Sequence, residues 1–325
     1  MLKIAYHPIY KYELPEGHRF PMLKYELLRE QLLYEGTVTE ENFFQPEALE
    51  EETLLLTHEE GYWNRLKRQE LSPKEVKAIG FPMTPRLVER GRHISNGTAQ
   101  CALHAKNFGV ALNIAGGTHH SFSYKGEGFC VLNDIAIAAN YLLHLEAAKK
   151  ILIVDLDVHQ GNGTAQIFEE EERVFTFSMH GAKNYPARKE RSDLDIGLPD
   201  GMTDEPYLRI LRNTLPGLID SVEPDFIFYL SGVDVLASDK LGRLSLSLDG
   251  CKERDRIVLE ACRLQRIPVA VSMGGGYSER ISTIVEAHAN TFRLAAEILV
   301  KTRYCVYWTG PAYAKASAGG QKKVA

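Results

Sequence analysis

Residues 151–163 read Ile151-Leu152-Ile153-Val154-Asp155-Leu156-Asp157-Val158-His159-Gln160-Gly161-Asn162-Gly163. The opening apolar run, bounded by turn residues, has the composition of a strand buried on both faces of a parallel sheet. Polar and apolar residues then alternate. Side chains alternate across a strand, so the spacing places Asp155, Asp157 and His159 on one face and turns Leu156 and Val158 to the other. Asp155 lies deepest, and the other two approach the rim. A lone Asp at a strand end is more often a cap or loop anchor than a ligand. Carboxylates and an imidazole inside an apolar strand are different, because buried charge needs cations or hydrogen-bond donors.

Working outward, short apolar runs recur at 110–115, 174–179, 226–230 and 269–273, with helically spaced segments between them. From Leu132, residues Ile135, Ala136, Ala139 and Leu143 trace one helix face; further amphipathic stretches cover 205–222 and 256–265. Strand and helix alternate, which predicts a parallel sheet wrapped by helices on both sides. The first hundred residues are more helical, and charged segments such as 58–69 are expected to surround the same sheet. The opening residues, Met1-Leu2-Lys3-Ile4-Ala5, read as a first strand, not a signal peptide. Residues 1–310 read as one domain. The small, polar stretch 311–325 reads as a disordered tail or a cloning remnant.

The 325 residues are 44% hydrophobic and 25% charged, an ordinary globular composition that excludes wholesale disorder. A net charge of −5 argues against a surface built to grip nucleic-acid phosphates. No apolar run approaches the roughly 18 residues that span a bilayer, so no membrane partner is expected. The five cysteines, Cys101, Cys130, Cys251, Cys262 and Cys305, are odd in number and form no Cys-x-x-Cys pair. That disfavours a disulfide framework or a thiolate zinc site, fits a cytoplasmic location, and reads as buried small hydrophobes.

Open parallel sheets carry ligands beyond the carboxyl ends of their strands. Four such ends here hold polar or glycine-rich residues: Gly116-Gly117-Thr118-His119-His120, Asp155 to Gly163, Ser231-Gly232-Val233-Asp234, and Gly274-Gly275-Gly276-Tyr277. Asp157 and His159 can reach one divalent ion with Asp234 as third ligand. Two carboxylates, one imidazole and an open position suit catalytic zinc, with iron(II) as the alternative. Beside a metal, His119-His120 gain a purpose: activated water needs a proton acceptor, and a leaving amine needs a donor. Asp155 is placed to bond one imidazole, and Asn162 to orient the other. An amide stabilises an imidazolium less than a carboxylate does, so that His should lose its proton more readily. The triple glycine lacks phosphate-loop spacing; its backbone freedom lets Tyr277 reach a developing oxyanion. Together the four ends describe a metallo-amidohydrolase.

Gly116–Ser121, Gly128-Phe129-Cys130-Val131-Leu132-Asn133-Asp134, Asp155–Gly163, Gly232–Asp234 and Gly274–Tyr277 follow the order of the histone deacetylase family, which the chain resembles to about Thr309. The resemblance is to bacterial members of the class IV type, with Asn162 where class I enzymes have Asp. Residues 180–186 and 188–193 also resemble that branch. The resemblance implies a single-domain, arginase/deacetylase-like α/β fold with a central, mostly parallel sheet flanked by helices on both faces. It implies one zinc on Asp157, His159 and Asp234, His120 as proton shuttle, and His119 backed by Asp155 as electrostatic support. Tyr277 would polarise the acyl carbonyl. Gly128 and Phe129 would line a substrate tunnel, with Asn184 and Tyr185 opposite and Leu241 at the rim. Asp155 and Ser178 would hold a structural potassium ion. The expected substrate is an acyl-lysine protein or peptide, or another acylated amine such as an acetylpolyamine. Two weaker readings are a two-metal ureohydrolase of the arginase type and a non-catalytic acyl-lysine reader.

Overall fold

The computed structural model of the chain describes residues 1–300; Cys305 and the stretch 311–325 lie outside the described residues. Eight strands form one sheet: β1 (Lys3–Ala5), β2 (Phe43–Phe44), β3 (Val110–Asn113), β4 (Ile151–Asp155), β5 (Val174–Gly181), β6 (Leu194–Leu198), β7 (Phe226–Leu230) and β8 (Val269–Ser272). Their order is β2-β1-β3-β8-β7-β4-β5-β6, and every pairing is parallel. The α/β fold read from the sequence is the one observed.

Strand alternation divides the core in two. On one face Ile151 and Ile153 of β4, Phe226, Phe228 and Leu230 of β7, and Ala111 and Ala270 join the helices Pro85–Phe108 and Asp134–His144. On the other, Leu152, Val154, Ile227, Tyr229, Val269 and Val271 meet the helices Lys24–Tyr34, Asp204–Val222, Leu248–Gln265 and Ile281–Ala295. Small residues of the first pair of helices, among them Ala99, Ala102, Ala105, Ala136 and Ala139, let both pack close to the strands. Covered on both sides, β3, β4, β7 and β8 are apolar apart from the Tyr229 hydroxyl and Asn113, Asp155 and Ser272 at their carboxyl ends.

Two strands were not legible in the sequence. β2 has only two residues, and β6 is half-exposed at the sheet edge, so neither shows the dense apolar run of the interior strands. The helix ending at Gln265 begins at Leu248, eight residues before the expected start, where Ser247 accepts the Gly250 N–H and caps it.

After β4 the chain winds outward to β5 and β6, then returns to lay β7 and β8 on the other side of β4. The order therefore reverses between β4 and β7. The crevice at such a switch point is where open parallel sheets hold ligands.

Candidate active site

β4 ends at Asp155, so Asp157 and His159 stand on the loop beyond it and not on a strand face. That corrects the alternation argument, and the reason lies in the carboxylates. Asp155 Oδ1 accepts the Asp157 N–H at 3.1 Å, Asp157 Oδ1 accepts the His159 N–H at 3.0 Å, and Asp234 Oδ1 accepts the Val158 N–H at 2.9 Å. Side-chain oxygens capture backbone donors that a strand would have given to its neighbours. The loop still delivers its side chains together. His159 Nδ1 lies 3.0 Å from Asp157 Oδ1 and 3.2 Å from Asp234 Oδ2, and one donor atom from each residue falls within 4.8 Å of the others. Gly275 donates its N–H to Asp157 Oδ2 at 2.8 Å, and a Cβ there would strike the Asp234 carboxylate.

Burial opposes charge on all three groups. At His159 it is outweighed by the two carboxylates, and the imidazole is pushed up to about 10. Burial and the neighbouring Asp157 charge raise Asp234 to about 7. Two buried carboxylates beside one imidazole have an excess of negative charge, and a divalent cation suits that donor set. Among the described residues this is the one group of three or more such side chains spaced to hold an ion.

His119 and His120 follow β3, their rings 4.1 Å apart. His119 Nδ1 lies 2.7 Å from Asp155 Oδ2, whereas His120 Nδ1 lies 2.6 Å from Asn162 Oδ1. Burial disfavours the charged form of both. The Asp155 and Asp157 charges overcome it at His119, which is raised; repulsion from His119 and His159 reinforces it at His120, held well below the ordinary histidine value.

Tyr277 lines the same cavity of about 40 Å³, as do the metal-ligand candidates, both histidines, Gly128 and Phe129. Its N–H is anchored on Asp239 Oδ2 at 2.6 Å, and its hydroxyl is held well above the usual phenol value by burial and by Asp234 and Asp157. Phe129 (φ 67°) and Gly128 (φ 56°) both adopt left-handed backbone. A Cβ at Gly128 would come within 2.6 Å of His120 Cδ2, so glycine is required there. Phe129 packs against Tyr277 and Phe20. The Tyr185 ring stands edge-on to His120, 4.9 Å away. Asn184 donates to the Leu241 carbonyl at 2.8 Å. Asp155 and Ser178 are register partners on β4 and β5, and the Ser178 hydroxyl lies 3.0 Å from His180 Nδ1.

A model of the histone deacetylase domain matches residues 18–292. The chain belongs to the histone deacetylase family. It is 44% identical over 295 residues to an uncharacterized protein of Picosynechococcus, covering 91% of this chain and 98% of that one. Histone deacetylase 2 of Arabidopsis thaliana is 28% identical over 295 residues, covering 88% and 76% of the two chains. Among solved structures, a histone deacetylase homologue complexed with SAHA superposes with a TM-score of 0.78 at 25% identity, covering 91% and 84%. The HDA15 HD domain, at 19% identity, shares the fold with a TM-score of 0.74 over 92% and 93%. Family and fold together support deacetylase-type amide hydrolysis by this chain.

Sequence reasoning missed two groups at this site. Lys24 is buried and donates to the Gly274 carbonyl at 3.1 Å, its ammonium lowered to about 8 by burial. Nothing in a surface-like Lys-Tyr-Glu context marks it. Glu127 accepts from Asn162 Nδ2 at 2.8 Å and from the Tyr185 hydroxyl at 2.7 Å, both on Oε1. Its setting, Gly-Glu-Gly, reads only as a turn.

Proposed function

We propose that this chain is a zinc-dependent deacylase that cleaves the amide of an Nε-acyl-lysine side chain, with acetyl-lysine as the leading substrate. One observation carries the reading: Asp157, His159 and Asp234 converge beside two adjacent imidazoles whose proton affinities are driven apart. Zinc on these three ligands supplies Lewis acidity and a water of lowered pKa, and the same donors suit iron(II).

The chain's own residues supply the remaining chemistry. His120, neutral and with Nδ1 directed at Asn162, accepts the proton of the attacking water at Nε2. His119, kept charged by Asp155, supports the negative charge that develops on the substrate. The Tyr277 hydroxyl stays protonated and donates to the oxyanion. His120 then returns its proton to the departing amine, leaving a free amine and a carboxylate. The Gly128 carbonyl would receive the amide N–H, with Phe129 and Tyr185 flanking the aliphatic stem. The same reading places a potassium ion beside Asp155 and Ser178.

The test is hydrolysis by the zinc-loaded full chain of a panel of acyl-lysine peptides and acetylated polyamines, compared by kcat/KM. Acetyl-lysine turnover abolished by a chelator and restored by zinc is expected. A preference for polyamines would reassign the substrate. Failure to hydrolyse either class with one zinc bound would overturn the enzyme.

A further inference from the structure

We infer that Glu127 is a positioning residue: acting through Asn162, it decides which nitrogen of His120 is left free to take a proton. The inference rests on the reading of His120 as the proton acceptor. An asparagine side chain has a donor end and an acceptor end of nearly the same shape, so its orientation must be set by its partners. A carboxylate only accepts. Glu127 Oε1, 2.8 Å from Asn162 Nδ2, therefore claims the amide NH₂ and turns Asn162 Oδ1 toward His120 Nδ1, 2.6 Å away. An amide oxygen only accepts in turn, so the proton of neutral His120 sits on Nδ1 and Nε2 carries the lone pair. With the Glu127 carboxylate removed, the amide is free to rotate by half a turn and offer NH₂ to Nδ1. That favours the opposite tautomer, which has no lone pair on Nε2 and cannot act as the base.

Glu127 is itself fixed. The Tyr185 hydroxyl donates to the same oxygen at 2.7 Å, and Lys125 Nζ lies 2.9 Å from Oε2. These partners outweigh burial and hold its carboxyl below the ordinary value, so it stays an acceptor. An aspartate in place of Asn162 would present only acceptor oxygens and need no such arbiter. The asparagine creates the ambiguity that Glu127 resolves.

The experiment uses the zinc-loaded full chain. Glu127→Ala is expected to lower kcat roughly 10- to 100-fold, the range for removing partners that orient a catalytic imidazole, with KM changed less than about threefold. Glu127→Gln, whose carbonyl still accepts, should lose distinctly less. Adding Asn162→Asp to Glu127→Ala should recover at least about tenfold of the lost kcat. Nitrogen-15 NMR of labelled histidine gives a readout independent of turnover: His120 carries its proton on Nδ1 in the parent and on Nε2 in Glu127→Ala. Glu127→Ser, too short to reach Asn162, carries the same expectations should the Ala variant misfold. Retention of the Nδ1 proton in these variants, or an equal kcat loss from removing Glu127 beside Asn162 and beside Asp at that position, overturns the inference. A parent chain inactive on every acyl substrate would defeat the proposed function, while the tautomer measurement would still decide the role of Glu127.

Discussion

His119 and His120 are neighbours in sequence and in space, yet one contacts a carboxylate and the other an amide. That single difference, reinforced by mutual repulsion, raises the proton affinity of His119 and lowers that of His120. Removing only the Tyr277 hydroxyl tests the division of labour. Tyr277→Phe is expected to reduce kcat by about 100- to 1000-fold, the loss typical of one oxyanion donor, with zinc content unchanged by elemental analysis. Zinc lost along with activity would place the residue in metal binding instead. Asp234→Asn should behave oppositely, dropping zinc well below one equivalent and abolishing turnover together, because a neutral amide is a much weaker zinc ligand than an anionic carboxylate. At this scale the sequence was most informative. Asp157, His159 and Asp234 were picked out by the cost of burying unpaired carboxylates, whereas Glu127 was invisible because its partners, Asn162 and Tyr185, lie 35 and 58 residues away.

The elements around the site are held by polar groups that connect distant segments. Asp134, fully buried, accepts from Thr118 N–H and hydroxyl at 2.7 and 2.6 Å and from Thr98 at 2.6 Å, tying the histidine loop to two helices. Asn133 caps the helix Asp134–His144, and its own N–H donates to His58 Nε2 at 3.0 Å. Burial lowers His58 to about 4, with backbone partners at Ser123 and Phe122 opposing. An unfolded histidine titrates near 6.5, so between these values the unfolded chain binds the extra proton and folding stability rises with pH. The His58 contribution is present in full above about pH 6.5 and lost as pH falls toward 4, roughly 3 kcal/mol across that window. Urea unfolding of His58→Leu should show lower stability at pH 7 but a shallower decline toward pH 4. Parallel declines in variant and parent would refute the assignment.

Across the whole molecule, one buried cation braces the loops that carry the metal-ligand candidates. Arg254 Nη1 donates to the carbonyls of Gly232 and Leu156 at 2.5 and 3.2 Å, while Nε and Nη2 engage Asp255 Oδ1 at 2.9 and 2.7 Å. Asp255 also accepts from Tyr229 and Thr291, so β7 and two helices share one polar node beneath the switch point. Arg254→Met should cost about 3–5 kcal/mol by leaving a carboxylate buried without its cation. Denaturant unfolding would measure that loss, and a metal titration should show weakened affinity as the tether on Leu156 and Gly232 is released. An unchanged unfolding midpoint would refute the brace. The signal existed in the sequence, since Asp255 and Arg254 fall on the same helical stripe as Cys251, Val258, Leu259 and Cys262. Metal loading is itself a test of the molecule as a unit. Zinc that binds only the folded chain should raise the melting temperature of a chelator-treated sample, by an amount that keeps growing with free zinc and reaches about 4 kcal/mol at a thousand times Kd.

What the sequence determined by itself is the alternation of apolar strand and amphipathic helix, and the set of ionisable residues stranded at strand ends. Both follow from local periodicity and from the penalty of burying charge, which a single chain displays without knowing its partners. Tertiary structure alone decided that β4 stops at Asp155 and that Asp157 and His159 converge from a loop, because Asp155, Asp157 and Asp234 capture backbone donors there. It also decided the orientation of the Asn162 amide. An amide flip changes no spacing and no composition; it is fixed only when an acceptor from elsewhere in the fold arrives at one end.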